Sequence, residues 1–571
     1  MNLIEHLKLC PETTPNGLNF YKDFKLIKSY TTSQLIEAAQ KKAYGFAKQL
    51  PKQRSNILLS LDTGEDFILS FFGLMLAGQT PVPLCPPHLM LKKDFDVLFE
   101  KIKKAANAKS YICDRDLGNG LSRLNLVDAP ECQLPQIKET DPAFIQFSSG
   151  STQDPKGVVI RQNNLIANLQ QITSGLGLGE RESICSWLPL HHDMGLIGGL
   201  LSALYGYNTA NLMSPVDYMI NPLGWVKLMS DTRATFLCAP NSSYHVIAKK
   251  ILQHPPKSID LSAIRVAMCG AEPIAIETLE RFAKALAPYG FRRQAILPVY
   301  GLAEATLAVT FSEIEQGPQV LNVDDEALKK DLVYKGPTDQ NKTIKMVSCG
   351  KPLPGIKLEI RDLDGEKLGD GRQGEIWIKG ENICLNYFDK EPHLEEGFLN
   401  TGDLGFTHKG NLYVTGRTKD LIIVGGKNYA PQDFEHKVAA DISEIKLGRV
   451  VAVGIPDTSG TEKIHLAVES DKILSKQQMT DLKRRTALSA SKICPVSQKH
   501  VYIVPMFGIP KTTSGKVQRF KTKSNINHGL FQKFERNFTR YQLQGHLIKS
   551  QFKLKFALKT LSEKLGINNA N

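Results

Sequence analysis

Apolar positions recur at helical spacing from Thr32 to Leu50, where Leu35, Ala39, Ala43, Phe46, Ala47 and Leu50 fall on one face and Thr32 or Ser33 is placed to cap it. Ile57–Leu61 then reads as a short buried strand, Glu65–Ala77 as a helix stopped by Gly78, and Val82-Pro-Leu as extended chain. The alternation continues through strands at Tyr111–Asp114, Phe144–Phe147 and Arg265–Met268. Alternating strand and helix predict α/β layers with mainly parallel strands. Beyond about residue 350 the pattern changes. Lys357–Ile360, Gly374–Lys379, Leu412–Val414 and Leu421–Val424 read as short strands between Gly and Asp turns. The expected class is α/β. A large N-terminal domain would hold α/β layered subdomains over 1–350 and a small β-rich subdomain over 351–417. A small mobile α+β domain over 418–524 and a basic extension over 525–571 would follow. Phe311 to Met346 is polar and reads as a surface excursion, and Gly416-Arg-Thr-Lys-Asp as a hinge.

Composition adds limits. With 571 residues and 42% apolar content the chain can bury several cores. The net charge of +13 is uneven, because 517–571 alone carries eleven Lys/Arg against two Glu. The rest is near balance and does not read as a nucleic-acid binder. The tail intersperses Phe531, Phe534, Phe538, Leu547 and Phe552 with its bases, which predicts a helical extension packed on the last domain and leaves peripheral membrane contact open. The longest apolar stretch, Phe67 to Gly78, is shorter than the ~20 residues a spanning helix needs. Ten cysteines show no CxxC pair and no zinc spacing, and no signal peptide is visible at Met1–Cys10, so a cytoplasmic protein with reduced thiols is expected.

The candidate chemistry begins at residues 147–157, Phe-Ser-Ser-Gly-Ser-Thr-Gln-Asp-Pro-Lys-Gly. A strand runs into small hydroxyl residues, a glycine and then Lys156, a pattern suited to cradling phosphate with backbone N–H groups. It is neither a Walker A loop nor a GxGxxG turn. Further blocks follow in order: Leu188-Pro-Leu-His-His-Asp-Met-Gly195, Gly270-Ala-Glu-Pro273, Tyr300-Gly-Leu-Ala-Glu304, Thr401-Gly-Asp403, Gly416-Arg417, Leu421-Ile-Ile-Val-Gly-Gly-Lys-Asn-Tyr-Ala-Pro-Gln-Asp433 and Lys511-Thr-Thr-Ser-Gly-Lys516. Together they resemble the acyl-adenylate-forming superfamily over roughly residues 20 to 520, and within it the fatty acyl-AMP ligases.

The resemblance implies ATP as substrate, Mg²⁺, a fatty acid, and an acyl carrier protein or polyketide synthase carrier domain in trans. Ser148, Ser149, Gly150, Ser151, Thr152, Lys156 and Gly157 would hold phosphates. Gly270, Ala271, Glu272 and Pro273 would floor the adenine, with Tyr300, Gly301 and Leu302 beside it. Asp403 would take the ribose hydroxyls, Arg417 ribose or phosphate, and Glu304 the metal ion. Lys516 would bridge carboxylate and α-phosphate, His192 would line the carboxylate region, and Lys419 would be the pivot. Phe236, Ala239 and Tyr244 would wall the acyl pocket. Each residue has an ordinary alternative: a helix-start acid for Glu304, core packing for Tyr300 and the pocket residues, a turn for Asp403, a surface ion pair for Arg417, solvated lysines for Lys419 and Lys516. An acyl-CoA synthetase, an amino-acid adenylation domain and a non-catalytic nucleotide-binding module are the rival functions.

Overall fold

A computed structural model describes residues 1–11, 17–90, 92–118, 120–147, 155–179, 181–324, 327–328, 333–336, 343–384, 387–388, 394–425, 427–446, 448–457, 461–512 and 515–550. The chain divides into two compact units, with the break between Thr415 and Gly416.

The predicted helix covers Thr32–Gln49, and its cap lies one residue before the two expected candidates. Thr31 is the N-cap: its hydroxyl accepts from the Gln34 N–H at 3.2 Å and the Gln34 side chain answers the Thr31 N–H at 3.0 Å. This reciprocal box satisfies two backbone donors that the first turn would otherwise leave orphaned. The helix buries Leu35, Ala39, Ala43 and Phe46 against the apolar helix Glu65–Leu76.

The larger unit is built on a nine-stranded sheet. Gly17–Lys22, Thr209–Met213, Ser183–Ser186, Phe236–Pro240, Val266–Gly270 and Ile296–Gly301 lie side by side, all parallel. Antiparallel strands close both edges, Lys25–Thr31 at one and Ala308–Phe311 with Lys351–Pro352 at the other. Ser183–Ser186 is where the chain order switches, since Thr209–Met213 joins one side of it and Phe236–Pro240 the other. Loops leaving such a point diverge and open a crevice at the carboxyl ends of the strands. A second, four-stranded parallel sheet carries Thr80–Pro83, Asn56–Ser60, Ser110–Cys113 and Ser122–Arg123. Pro142–Phe147 joins neither sheet and pairs antiparallel with Gly157–Arg161.

The β-rich subdomain is an antiparallel five-stranded sheet that includes Lys357–Arg361, Gly374–Lys379, Phe398–His408 and Asn411–Arg417. The polar 311–346 stretch contributes to two strands that its composition does not predict. Val320–Asp324 pairs with Thr343–Val347, and Val323 packs inward with Phe406 and Tyr413 while Asn322 stays exposed.

The smaller unit holds the sheet Val450–Pro456, Glu462–Glu469 and Val501–Val504. Helices Pro431–Asp441 and Lys476–Ala490 cover one face through Phe434, Val438 and Leu482. Arg519–Asn527 and Leu530–Arg536 cover the other, where Phe531 is fully buried beside Val451 and Tyr502. The start of the basic extension thus packs on this unit, while 551–571 lies outside the described residues. Among the described residues no helix is long and apolar enough to cross a membrane.

Candidate active site

Three chain segments place candidate side chains of the larger unit at the carboxyl ends of its parallel strands. The strand Ser183–Ser186 runs into Trp187 and then the Leu188–Gly195 block. There the His192 N–H donates to the Pro189 carbonyl at 3.1 Å, and Asp193 caps the following helix by accepting from the Met194 N–H at 2.7 Å. Met194–Leu201 is wound as a π-helix, and only Ser202–Tyr205 is α-helical. A Cβ at Gly195 would lie 2.3 Å from the Pro189 carbonyl oxygen, so this turn admits no side chain there. A π-segment widens the backbone and recurs at functional sites.

The His191 and His192 rings are tilted 47° to one another, with centroids 4.4 Å apart. His191 is buried, its Nε2 has no hydrogen-bond partner among the described residues, and loss of solvation holds its pKa down at about 4 despite the opposing charge of Asp62. Its folded value is below the unfolded one, so the unfolded chain binds the proton more readily between pH ~6.5 and ~4. Stability contributed by neutral His191 is therefore complete above pH ~6.5 and is lost as acid is added. We expect wild type to lose about 2 kcal/mol more than His191→Gln between pH 7 and pH 5. Unfolding midpoints of both proteins across that range check this, and parallel pH slopes would contradict it.

The strands Val266–Gly270 and Ile296–Gly301 deliver the adenine candidates. Ala271 has a left-handed backbone at φ 65°, unusual for a residue with a Cβ. The turn is fastened below by Glu272, whose Oε1 accepts from the Ser242 N–H, and by Asn241, whose Oδ1 accepts from the Ala275 N–H at 3.3 Å. Tyr300 is buried, and its hydroxyl donates to Oδ2 of Asp403 at 2.7 Å. That bond joins the parallel sheet to the strand Phe398–His408 and brings two predicted nucleotide contacts together.

Glu304 does not begin an α-helix, contrary to the helix-start alternative. Ala303–Ala305 is a single 3₁₀ turn. Thr306, at φ 64°, reverses the chain into Ala308–Phe311, which returns antiparallel along Ile296–Gly301. The reversal requires Gly301, since a Cβ there would meet the Leu307 carbonyl oxygen at 2.0 Å. With no helix to supply a macrodipole, the helix-start explanation of this acid is gone.

One participant was missed from sequence. The Tyr387 hydroxyl donates to Oε1 of Glu304 at 2.9 Å, and the Lys156 ammonium lies over the Tyr387 ring, 5.0 Å from its centroid. Burial and the neighbouring Glu304 charge push the Tyr387 hydroxyl far above the usual phenol range, so it serves as a donor. The sequence just before it, Ile383-Cys-Leu-Asn386, gives no local sign of this role. Gly157 opens the strand Gly157–Arg161, and its carbonyl accepts from the Phe388 N–H at 2.9 Å. Ser148, Ser149, Gly150, Ser151 and Thr152 lie outside the described residues.

The acyl-pocket expectation needs correcting. Phe236 and Ala239 are three residues apart on one strand and so face opposite sides of the sheet. Phe236 packs in one core cluster, and Ala239 and Tyr244 in another. The Tyr244 hydroxyl is satisfied by the Met268 carbonyl at 2.7 Å. The three are core residues and not walls of one cavity.

In the smaller unit, Arg417 ends the strand Asn411–Arg417, and Lys419 is exposed in the 3₁₀ turn Thr418–Asp420. Lys516 is exposed beside Gly515, in a tight turn where the Thr512 N–H donates to the Lys516 carbonyl at 2.7 Å and the Lys516 N–H donates to the Thr512 hydroxyl at 3.0 Å.

A family model described as AMP-binding enzyme matches residues 12–388. The chain belongs to the AMP-binding enzyme family. Among its relatives, a Caulobacter vibrioides protein provisionally named acyl-CoA synthetase is 32% identical, with 91% of this chain and 94% of that protein covered. A medium-chain-fatty-acid–[acyl-carrier-protein] ligase of Moorena producens is 30% identical, with 90% and 92% covered. A solved fatty acyl-adenylate ligase, from a study of the E. coli and L. pneumophila enzymes, superposes with a TM-score of 0.83 at 29% identity over 93% of this chain and 98% of that one. The expected ligase with a large α/β domain and a small α+β domain therefore stands.

Proposed function

We propose that this chain converts a fatty acid and ATP to acyl-AMP and pyrophosphate, then passes the acyl group to the phosphopantetheine thiol of an acyl carrier protein. The observation that carries the proposal is the meeting, in one unit, of Tyr300–Asp403 with Lys156–Tyr387–Glu304. A nucleoside recognised by the first pair would extend its phosphates toward the second group.

In the first step a carboxylate oxygen bonds to the α-phosphorus and the bond to the pyrophosphate oxygen breaks. Both reactants are anions, so charge neutralisation and alignment dominate the catalysis. Lys156 and the 148–152 loop hold the β- and γ-phosphates, Asp403 and Arg417 hold ribose, and His192 lines the carboxylate region. Lys516 offsets charge shared by the carboxylate and α-phosphate. Among the described residues no three metal-ligating side chains cluster. A single carboxylate at Glu304 nevertheless fits Mg²⁺, which takes most of its ligands from phosphate and water. When bound, that ion would offset charge on the departing pyrophosphate. In the second step the thiol sulfur bonds to the acyl carbon and AMP leaves. Lys419 serves as the pivot between the two steps. The ten free thiols, nine of them buried, suit a reducing, cytoplasmic setting.

The acceptor has two readings. The Moorena relative's name favours a carrier protein, and the +13 charge would speed encounter with an acidic carrier. The Caulobacter relative's name favours coenzyme A. Fatty acids of increasing length, supplied with ATP, Mg²⁺ and either acceptor, decide between them. We expect pyrophosphate release with fatty acids and thioester on the carrier. Efficient acyl-CoA formation would overturn the acceptor, and pyrophosphate release with no fatty acid tested would overturn the substrate.

A further inference from the structure

We propose that Tyr387 is a positioning residue that sets the Glu304 carboxylate for its cation and the Lys156 ammonium for phosphate, coupling the two through one side chain. The inference rests on the assignment of Glu304 and Lys156 to the triphosphate. Tyr387 contacts both at once, by its hydroxyl and by its ring face. Its hydrogen bond occupies Oε1 of Glu304, which directs the other oxygen, Oε2, to a cation as a single-oxygen ligand. The ring presents its negative face to Lys156, which limits where that long side chain can swing.

The backbone around Tyr387 is tied to both partners' segments. Tyr387 bridges to Val158, and the neighbouring Phe388 N–H bonds to the Gly157 carbonyl at 2.9 Å, beside Lys156. Upstream, the Cys384 N–H bonds to the Glu304 carbonyl at 2.8 Å. Buried Asn382 donates to the Ala305 carbonyl at 3.0 Å, and its own carbonyl accepts from the Thr306 hydroxyl at 2.7 Å. The segment is thus stitched to the phosphate loop at one end and to the glutamate turn at the other. Such bracing fixes a site's first contacts to within a fraction of an ångström, where small displacements are costly.

The test uses the full-length protein and two variants. Tyr387→Phe removes only the hydroxyl, whereas Tyr387→Leu also removes the ring beneath Lys156. ATP binding is measured by calorimetry with Mg²⁺ and with EDTA, alongside the Mg²⁺ dependence of acid-driven pyrophosphate exchange and the thermal midpoint. For Tyr387→Phe the half-saturating Mg²⁺ concentration should rise about tenfold, the worth of one charge-assisted hydrogen bond. ATP affinity in EDTA and the thermal midpoint should stay at wild-type values. For Tyr387→Leu, ATP affinity in EDTA should also fall several-fold. Wild-type Mg²⁺ dependence in Tyr387→Phe, or equal losses with Mg²⁺ and with EDTA, would overturn the role of Tyr387 alone. A wild type whose ATP binding ignores Mg²⁺ would overturn the Glu304 assignment beneath it as well.

Discussion

Lys516→Ala should lower acyl-adenylate formation by a factor of about 10²–10³, the usual cost of removing one fixed stabiliser of developing charge. Thioester formation from supplied acyl-AMP should fall far less, because the α-phosphate is no longer under attack in that step. The side chain is exposed, and the turn around it is held by backbone groups and the Thr512 hydroxyl, not by the ammonium. The variant should therefore fold with an unchanged midpoint, and its lost rate can be assigned to chemistry. Lys516→Arg keeps the charge but spreads it over a planar fork that cannot sit as a point charge, so only partial recovery is expected. Single-turnover measurements of the two steps check the prediction. Equal losses in both would remove Lys516 from the role of adenylation cation.

The second large effect is expected at Asp403. Asp403→Asn replaces one of two acceptor oxygens by a donor in a site only 5% exposed. A hydrogen bond to a charged group is worth ~1.5–3 kcal/mol, so the KM for ATP should rise about 10- to 100-fold. The kcat at saturating ATP should change less, since the ribose is held alike in ground and transition states. Tyr300→Phe keeps the ring and loses only the 2.7 Å bond to Asp403, so its KM should rise by about tenfold or less. Initial-rate kinetics over ATP concentration separate the two. An Asp403→Asn protein with unchanged KM and depressed kcat would mean that this carboxylate meets the reacting atoms and not the sugar.

The strand–helix alternation was readable because burial imposes a period, and each period is local. Glu65–Leu76 and Gly374–Lys379 lie close to where their patterns put them. Misreadings arose where a long-range constraint outweighed local preference. Ala303 to Val309 has helix-forming composition, yet pairing with Ile296–Gly301 pulls it into a hairpin through a left-handed Thr306. Val320–Asp324 looked like polar surface until its partner strand and the Phe406 face beneath it were in place. Tyr387 had no local signal, because its partner Glu304 is 83 residues away in sequence.

What the amino-acid order determined by itself was the inventory of chemistry: a glycine- and hydroxyl-rich turn before Lys156, acids at 304 and 403, a terminal lysine turn, and their order along an α/β chain. Composition and periodicity suffice for that, since they report which groups exist and which local element carries each. Only the tertiary structure decided which groups meet. Tyr300 finds Asp403 across 103 residues, Tyr387 joins Glu304 to Lys156, and the strand at Ser183–Ser186 becomes the switch point of the sheet. A hydrogen bond requires two atoms about 3 Å apart and aligned, and no local period encodes a distance between segments that become neighbours only once the sheet closes.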